Sequence, residues 1–312
     1  MEYLEDSEEN YNELIESIKQ NNLSRCKFPK LIIGTGLSAI YKLPGMWELA
    51  NELEEKFDKH TDYEIQNIWN QKKADIFKSG LEAGLSTINL NNKKEREFVI
   101  EIKNITSRFI LNREIKLMDE IYSKQTGFKS MLKYLKNTAS CNNGNLDIMT
   151  LNYDRTIEIV CDSLKIEVVT GFTGNLICHF NDALLRKLPK KDFNVRLFKP
   201  HGSLNWIQNQ SEIIKTNDNL RLLKNYKDIH IITPGSSKYE MCTTNFIFNI
   251  MRENFDEILI RSPNYSLLIF GYGFNDEHFN VTLYSKFNDV PTLIISKYVK
   301  EEVINKGLKN SN

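Results

Sequence analysis

Four short stretches of this 312-residue chain combine side chains able to do chemistry with glycines able to bring backbone close to a ligand. They are Gly34-Thr35-Gly36-Leu37-Ser38, Thr150-Leu151-Asn152-Tyr153-Asp154, Lys199-Pro200-His201-Gly202-Ser203 and Gly271-Tyr272-Gly273-Phe274-Asn275-Asp276. Glycines in the first let backbone N–H groups approach phosphate oxygens, and the start of a following helix adds favourable polarity. The amide, imidazole and carboxylates of the others supply hydrogen bonds and proton transfer. Each stretch alone has a plainer use. The GxG suits a tight turn, Asn152, Asp154 or Asp276 suits a helix N-cap, and the His-Gly pair suits a loop. Their joint occurrence carries the weight, because each directly follows an apolar run.

Those runs predict strands at 31–33, 146–151, 195–198 and 267–270, with further short strands at 166–169, 229–232 and 291–295. Helical spacing predicts helices over 10–20, from Pro44 through Phe57, over 155–164 and 245–260, and from Asp276 onward. Strands separated by helices predict an α/β fold, a Rossmann-like parallel sheet with helices on both faces. In such sheets ligands bind outside the carboxyl ends of the strands, where the four stretches fall. Residues 58–137 are rich in Lys, Asn and Glu, with helical stripes such as Phe98, Ile102, Ile105 and Phe109. They are expected to form a helical insertion after the first βα unit, broken near Gly80, Gly84 and residues 89–94. The expected division is an N-terminal helical extension (1–28), a main domain (29–300) and a tail (301–312).

Composition narrows the function. Lysine plus arginine equal aspartate plus glutamate at 41 each, so no overall field draws the chain to nucleic acid or an anionic membrane. The basic run Arg186, Lys187, Lys190, Lys191 reads as a solvated loop. The acidic N-terminus has no apolar core of a secretory signal, and no window approaches the roughly 18 apolar residues of a membrane span. Five scattered cysteines (Cys26, Cys141, Cys161, Cys178, Cys242) without a CxxC argue against a disulfide framework and a four-cysteine zinc site. The expected home is a reducing cytoplasm, with no metal.

Gly34-x-Gly36-x-x-Ala39 matches the glycine fingerprint of nicotinamide dehydrogenases, but that fingerprint also needs a second strand and an acidic residue about 20 positions on. Here that distance falls at Glu52, Glu54 and Glu55 inside a predicted helix, so a dehydrogenase is disfavoured. The ordered set GTGLS, TLNYD, PHGS and GYGFND instead resembles the sirtuin-like NADase branch of bacterial antiphage defence systems, from about Lys30 to Lys297. Leu-Asn-Trp after the HGS and the D-x-H of Asp276 and His278 belong to the same resemblance. Two departures from sirtuin deacylases stand out. Only Cys242 lies downstream of His201, with residues 207–227 resembling a short hairpin or loop instead of a zinc module. Met46 and Trp47 stand where sirtuins carry a Phe and an Arg.

The resemblance implies an NAD⁺ glycohydrolase, releasing nicotinamide and ADP-ribose, acting in abortive infection. It implies that residues 29–300 form the sirtuin-like catalytic domain and that NAD⁺ is the substrate. Asn152 would accept from water while donating to the ribose, His201 would act as base near the ribose hydroxyls or that water, and Asp154 would help orient the site or hold the nicotinamide-ribose end. Gly34, Thr35, Gly36 and Ser38 would carry the pyrophosphate, and Gly271, Tyr272 and Asp276 would face the adenosine half. It further implies a homo-oligomer, or a complex with a HerA-type ATPase or short argonaute, without direct nucleic-acid contact. Two rivals remain open: a non-catalytic NAD⁺ or ADP-ribose-binding subunit, and a protein deacylase.

Overall fold

The computed structural model describes residues 8–22, 29–139, 145–186, 193–235, 245–262, 264–287 and 289–308. After helix α1 (Glu8–Asn22), strand β1 (Pro29–Ile33) runs into the one-and-a-half-turn helix α2 (Thr35–Ile40). Five helical segments follow: α3 (Met46–Asp58), α4 (Tyr63–Ser79), α5 (Leu81–Gly84), α6 (Lys93–Ser123) and α7 (Gly127–Ala139). The chain continues as β2 (Leu146–Thr150), α8 (Thr156–Ser163), β3 (Glu167–Val169), β4 (Phe172–Thr173), β5 (Cys178–Phe180), α9 (Ala183–Arg186) and β6 (Asn194–Phe198). A hairpin of β7 (Gly202–Asn209) and β8 (Glu212–Lys215), then α10 (Asn219–Lys224) and β9 (Ile229–Ile231), come next. The last elements are α11 (Phe246–Arg261), β10 (Ser266–Phe270), α12 (Glu277–Lys286), β11 (Thr292–Ile295) and α13 (Glu301–Leu308).

Six strands form one sheet in the order β11-β10-β1-β2-β6-β3, and every neighbouring pair is parallel. This is the expected α/β architecture. Alternate residues of β1 explain why its run is wholly apolar. Ile32 packs with Met149, Phe198, Ile269 and the α11 residues Met251 and Phe255, while Leu31 and Ile33 pack with Ile148, Leu197 and the α7 and α8 residues Leu132 and Val160. Both faces are covered, so no polar alternation survives. At the other end of the strands a buried carboxylate, Asp147, accepts from Arg196 Nε at 2.6 Å and pairs with Lys30, tying β1, β2 and β6 together.

The helices between β1 and β2 have a core of their own. Phe57 stacks on Trp69 (5.2 Å between ring centroids) and lies 4.8 Å from Phe98, with Leu53, Ile76 and Ile102 around them. Caps define their starts: Asp62 accepts from the Glu64 and Ile65 N–H groups, and Asn92 from Lys94 and Glu95. Gly80, at φ 91°, separates α4 from α5. α6 is 31 residues without a break, roughly 45 Å at 1.5 Å per residue. It packs against α3 and α4 early and against α8 and β9 later.

One expectation is corrected. Residues 229–232, read as one more strand of the alternating pattern, instead give β9 at the edge of a second, antiparallel sheet of order β4-β5-β8-β7-β9. The reason is the link from β6 to β7. A parallel return needs a crossover of a dozen or more residues, and only Lys199, Pro200 and His201 separate the two strands. With Gly202 at φ 84°, the chain turns out of the first sheet and founds the second. Its core is Leu204, Ile207, Ile214, Ile229 and Ile231 against Leu111 of α6. Of residues 207–227, expected as a short hairpin or loop, 207–215 form most of the β7–β8 hairpin, whereas Asn219–Lys224 form helix α10. Cys161 and Cys178 are free thiols; Cys26, Cys141, Cys242, Lys187, Lys190 and Lys191 lie outside the described residues. Among the described residues no helix is long and apolar enough to cross a membrane.

His230 on β9 gives this second sheet a pH dependence. It stacks on Phe248 at 4.7 Å between centroids, and Asn245 Nδ2 lies 2.8 Å from its Nε2. Burial pushes its titration down from 6.5 to about 4, with Lys103 adding to the shift. The folded imidazole therefore stays neutral while the unfolded one takes a proton. Stability is expected to be full above pH 6.5 and to fall as pH drops from 6.5 toward about 4. Urea unfolding across that window should show the slope, and His230→Phe should flatten it; an unchanged slope would show that other groups set it.

Candidate functional site

All strands of the first sheet run the same way, so the carboxyl ends of the neighbours β10, β1, β2 and β6 lie along one edge. The four stretches that follow them meet there around a cleft with about 860 Å³ of empty space, counting its open mouth. Gly34, Thr35 and Ser38 contribute from the turn after β1, Asn152 and Asp154 from that after β2, and His201 from that after β6. Tyr272 and Asp276 contribute from that after β10. Gly36 and Gly271 lie beneath instead, pressed against each other. Gly36 N–H donates to the Gly271 carbonyl at 2.9 Å, and a Cβ on Gly36 would sit 2.5 Å from the Gly271 Cα. A Cβ on Gly34 would sit 2.4 Å from the Gly271 oxygen. These glycines let two strand-end loops touch backbone to backbone at the centre of the sheet.

Asn152 is 7% exposed, and both of its amide hydrogens are engaged. Nδ2 donates to the Gly34 carbonyl and to Ser38 Oγ, each at 2.9 Å. Ser38 in turn donates to Asp154 Oδ2 at 2.6 Å, and Asp154 Oδ1 accepts from Thr156 N–H at the start of α8. The expectation that the Asn152 amide donates to a ribose while accepting from water is therefore narrowed. Its donors hold the β1 turn, and its oxygen is the group it offers to a ligand. Asp154 thus accepts from the first N–H of α8 and from Ser38 while lining the cleft.

His201 is 4% exposed, and its carbonyl accepts from Ile232 N–H at 3.0 Å. Asp276, expected at the adenosine end, lies with Oδ2 at 3.2 Å from His201 Nε2. Its Oδ1 accepts from Phe279 N–H, capping α12. Tyr272 donates its hydroxyl to Asn280 Oδ1 at 2.9 Å, and burial pushes that hydroxyl well above its usual titration range. The side chain of His278 lies outside the described residues.

The groups that brace these loops were missed in reading the sequence. Lys199, 1% exposed, donates to the Asp154 carbonyl and to Ser203 Oγ, joining the β2 and β6 turns from below. Arg155 is held by Glu114 of α6, its Nε at 2.6 Å from Oε1, and reaches Asn219 Oδ1 at 2.9 Å. Glu114 is wholly buried; desolvation pushes its carboxyl above the usual range, against the pull of the Arg155 guanidinium. The insertion also supplies part of the cleft wall, through Glu82 and Ile110. A charged residue inside the apolar stripe of α6 was the available signal for Glu114. Met46 lines the cleft as well, whereas Trp47 is 60% exposed and meets Phe77 edge to face.

Among the described residues lining the cleft, the ionisable side chains are Glu82, Asp154, Asp276, His201 and two tyrosines; none is a lysine or arginine. No described group of three or more His, Cys, Asp or Glu residues could hold a metal ion. The arrangement suits positive charge at one point of a ligand, beside an amide and an imidazole–carboxylate pair.

Comparison with known proteins finds a family match over the later half of the chain. Residues 147–292 match the SIR2-like domain family. The match takes in Asn152, Asp154, His201 and Asp276, and leaves β1, its turn and the helical insertion outside. No curated protein matches the chain.

The Gly36–Gly271 contact predicts a sharp contrast between neighbouring glycines. Gly271 has φ 60°, and its Cβ would meet Gly36 Cα at 2.6 Å. Gly271→Ala is expected to cost about 2–4 kcal/mol. At Gly273 the nearest atom is a side-chain nitrogen at 3.2 Å, so Gly273→Ala should cost under about 1 kcal/mol. Urea unfolding of the two variants measures this, and equal losses would mean the contact is not tight.

Proposed function

We propose that the chain is an NAD⁺ glycohydrolase, cleaving the nicotinamide–ribose bond to give nicotinamide and ADP-ribose. The observation that carries this reading is the convergence of the Asn152 oxygen, the His201–Asp276 pair and the Ser38–Asp154 pair on one cleft at the sheet's switch point. The SIR2-like match supports a nicotinamide dinucleotide as the ligand.

In NAD⁺ the nicotinamide is already cationic, so its departure needs no acid. As the C1′–N bond breaks, its electron pair returns to the ring, nicotinamide leaves neutral, and positive charge passes to the ribose. Carboxylates fixed around the cleft lower the energy of that charge more than a mobile solvent would. Water then bonds to C1′ and must lose a proton. Asn152 Oδ1 accepts one hydrogen of that water and aims its lone pair, and His201 takes the proton. Apolar walls of Met46, Leu49, Ile110 and Leu151 limit the access of other water. The pyrophosphate is assigned to the turn of Gly34, Thr35 and Ser38, with Gly36 and Gly271 shaping it from beneath. The catalytic unit is assigned to residues 29–300.

Loss of NAD⁺ stops a cell, which fits an abortive-infection role in antiphage defence. Such an enzyme needs restraint, supplied through homo-oligomerisation or through a HerA-type ATPase or short argonaute in a bacterial cytoplasm.

The test is nicotinamide release from NAD⁺ by the purified chain, with and without these partners, beside His201→Ala and Asn152→Ala. Wild type should release nicotinamide, and each variant should be slower by at least about 100-fold; His201→Ala should keep its thermal midpoint, whereas Asn152→Ala should lower it through the two hydrogen bonds lost to Gly34 and Ser38. Variants that turn over like wild type would overturn the assignment. Protection from heat by NAD⁺ with no release under any condition would favour a binding subunit.

A further inference from the structure

Asp276 uses its two oxygens differently. Oδ1 accepts from Phe279 N–H at 3.0 Å, and Oδ2 faces His201 Nε2 at 3.2 Å. The cap fixes the carboxylate plane, so the second oxygen cannot swing away from the imidazole without uncapping α12. The loop leading to it is held at a cost. Phe274 sits at φ 52°, a strained conformation rare for a residue with a bulky side chain. Packing over-determines that conformation: Phe274 is 3% exposed, lies 4.8 Å from the Tyr272 ring and stacks on Tyr284 at 6.3 Å. Its carbonyl accepts from Asn280 Nδ2, which is bound in turn to Tyr272. A plain N-cap needs none of this support.

We propose that Asp276 is a positioning residue for His201, fixing the orientation of the ring and stabilising the imidazolium formed when His201 takes a proton from water. The inference rests on the NAD⁺ glycohydrolase reading for its catalytic half only. The pairing itself is a property of the folded protein. A carboxylate fixed beside an imidazole favours the charged ring and makes it the stronger base. The other titratable groups on the cleft wall are Glu82 of α5, Tyr153 and Asp154 after β2, and Tyr272 after β10. Lys199, two residues before His201, has its ammonium on the Asp154 carbonyl. All of these remain in place when Asp276 alone is changed.

Asp276→Asn separates the two jobs, because asparagine caps a helix as well as aspartate and carries no charge. Asp276→Ser, another good cap, is a second charge-free variant, and Asp276→Ala removes cap and charge together. Two readouts are taken on the full chain. The first is NMR titration of the histidine ring protons, with the His201 signal identified by its loss in His201→Gln. The second is the pH profile of nicotinamide release. In Asp276→Asn the His201 midpoint should fall by about one pH unit or more while the thermal midpoint holds. Release should slow by about 10-fold or more, with its acid limb moved to lower pH. Asp276→Ala should in addition lower the thermal midpoint.

A His201 midpoint and an acid limb that do not move in Asp276→Asn and Asp276→Ser would overturn the proposal and leave Asp276 as a cap. If wild type releases no nicotinamide, the glycohydrolase reading fails, and the NMR titration still decides the pairing on its own.

Discussion

The centre of this molecule is a contact between two stretches of bare backbone. The turn after β1 and the turn after β10 touch at Gly36 and Gly271, closer than any side chain would permit. Everything on the cleft floor is referenced to that contact. Gly34 presents its carbonyl to Asn152, Asn152 holds Ser38, and Ser38 holds Asp154. On the other side the turn after β10 carries Tyr272 and Asp276 toward His201. Sheet hydrogen bonds fix the strands; the missing Cβ atoms fix the distance between what they carry.

A second layer keeps these polar groups from relaxing. Buried donors and acceptors are costly unless paired, and here pairing is used to specify shape. Lys199 spends its ammonium on the main-chain carbonyl of Asp154 and on Ser203, locking together the turns that follow the paired strands β2 and β6. Glu114, from the middle of the 31-residue helix, does the same for Arg155. The helical insertion is therefore part of the site's support as well as its wall. Removing one member of such a buried pair leaves the other charge uncompensated, a loss usually larger than the pair's own net contribution.

The sheet was legible because both of its faces are buried, which turns each strand into a short apolar run ending in glycine or a polar cap. Helices read well for the same reason: their stripes and their caps, Asp62, Asn92 and Asn245, lie within a few residues of each other. The second sheet was hidden because its strands other than β7 are only two to four residues long and are separated by turns that suggest helices or loops. Site residues were legible as types at strand ends. Their relations were not. That Asp276 meets His201, or that Asn152 spends its amide hydrogens on Gly34 and Ser38, depends on which strands are neighbours, and strand order is a long-range property that local periodicity does not encode.

That strand order has a consequence for how the protein comes into being. β1 lies between β2 and β10, so Leu31 has Ile148 on one side and Leu268 on the other. A chain made from its N-terminus must carry an apolar strand with one open edge through most of its synthesis. Contacts this distant in sequence form slowly, and an open strand edge invites association with other chains. The helices between β1 and β2, with a core of their own, are available meanwhile to shield that segment. The cleft itself has no floor until residues 266–276 have left the ribosome. The cleft is therefore complete only after the central strand has gained its last neighbour.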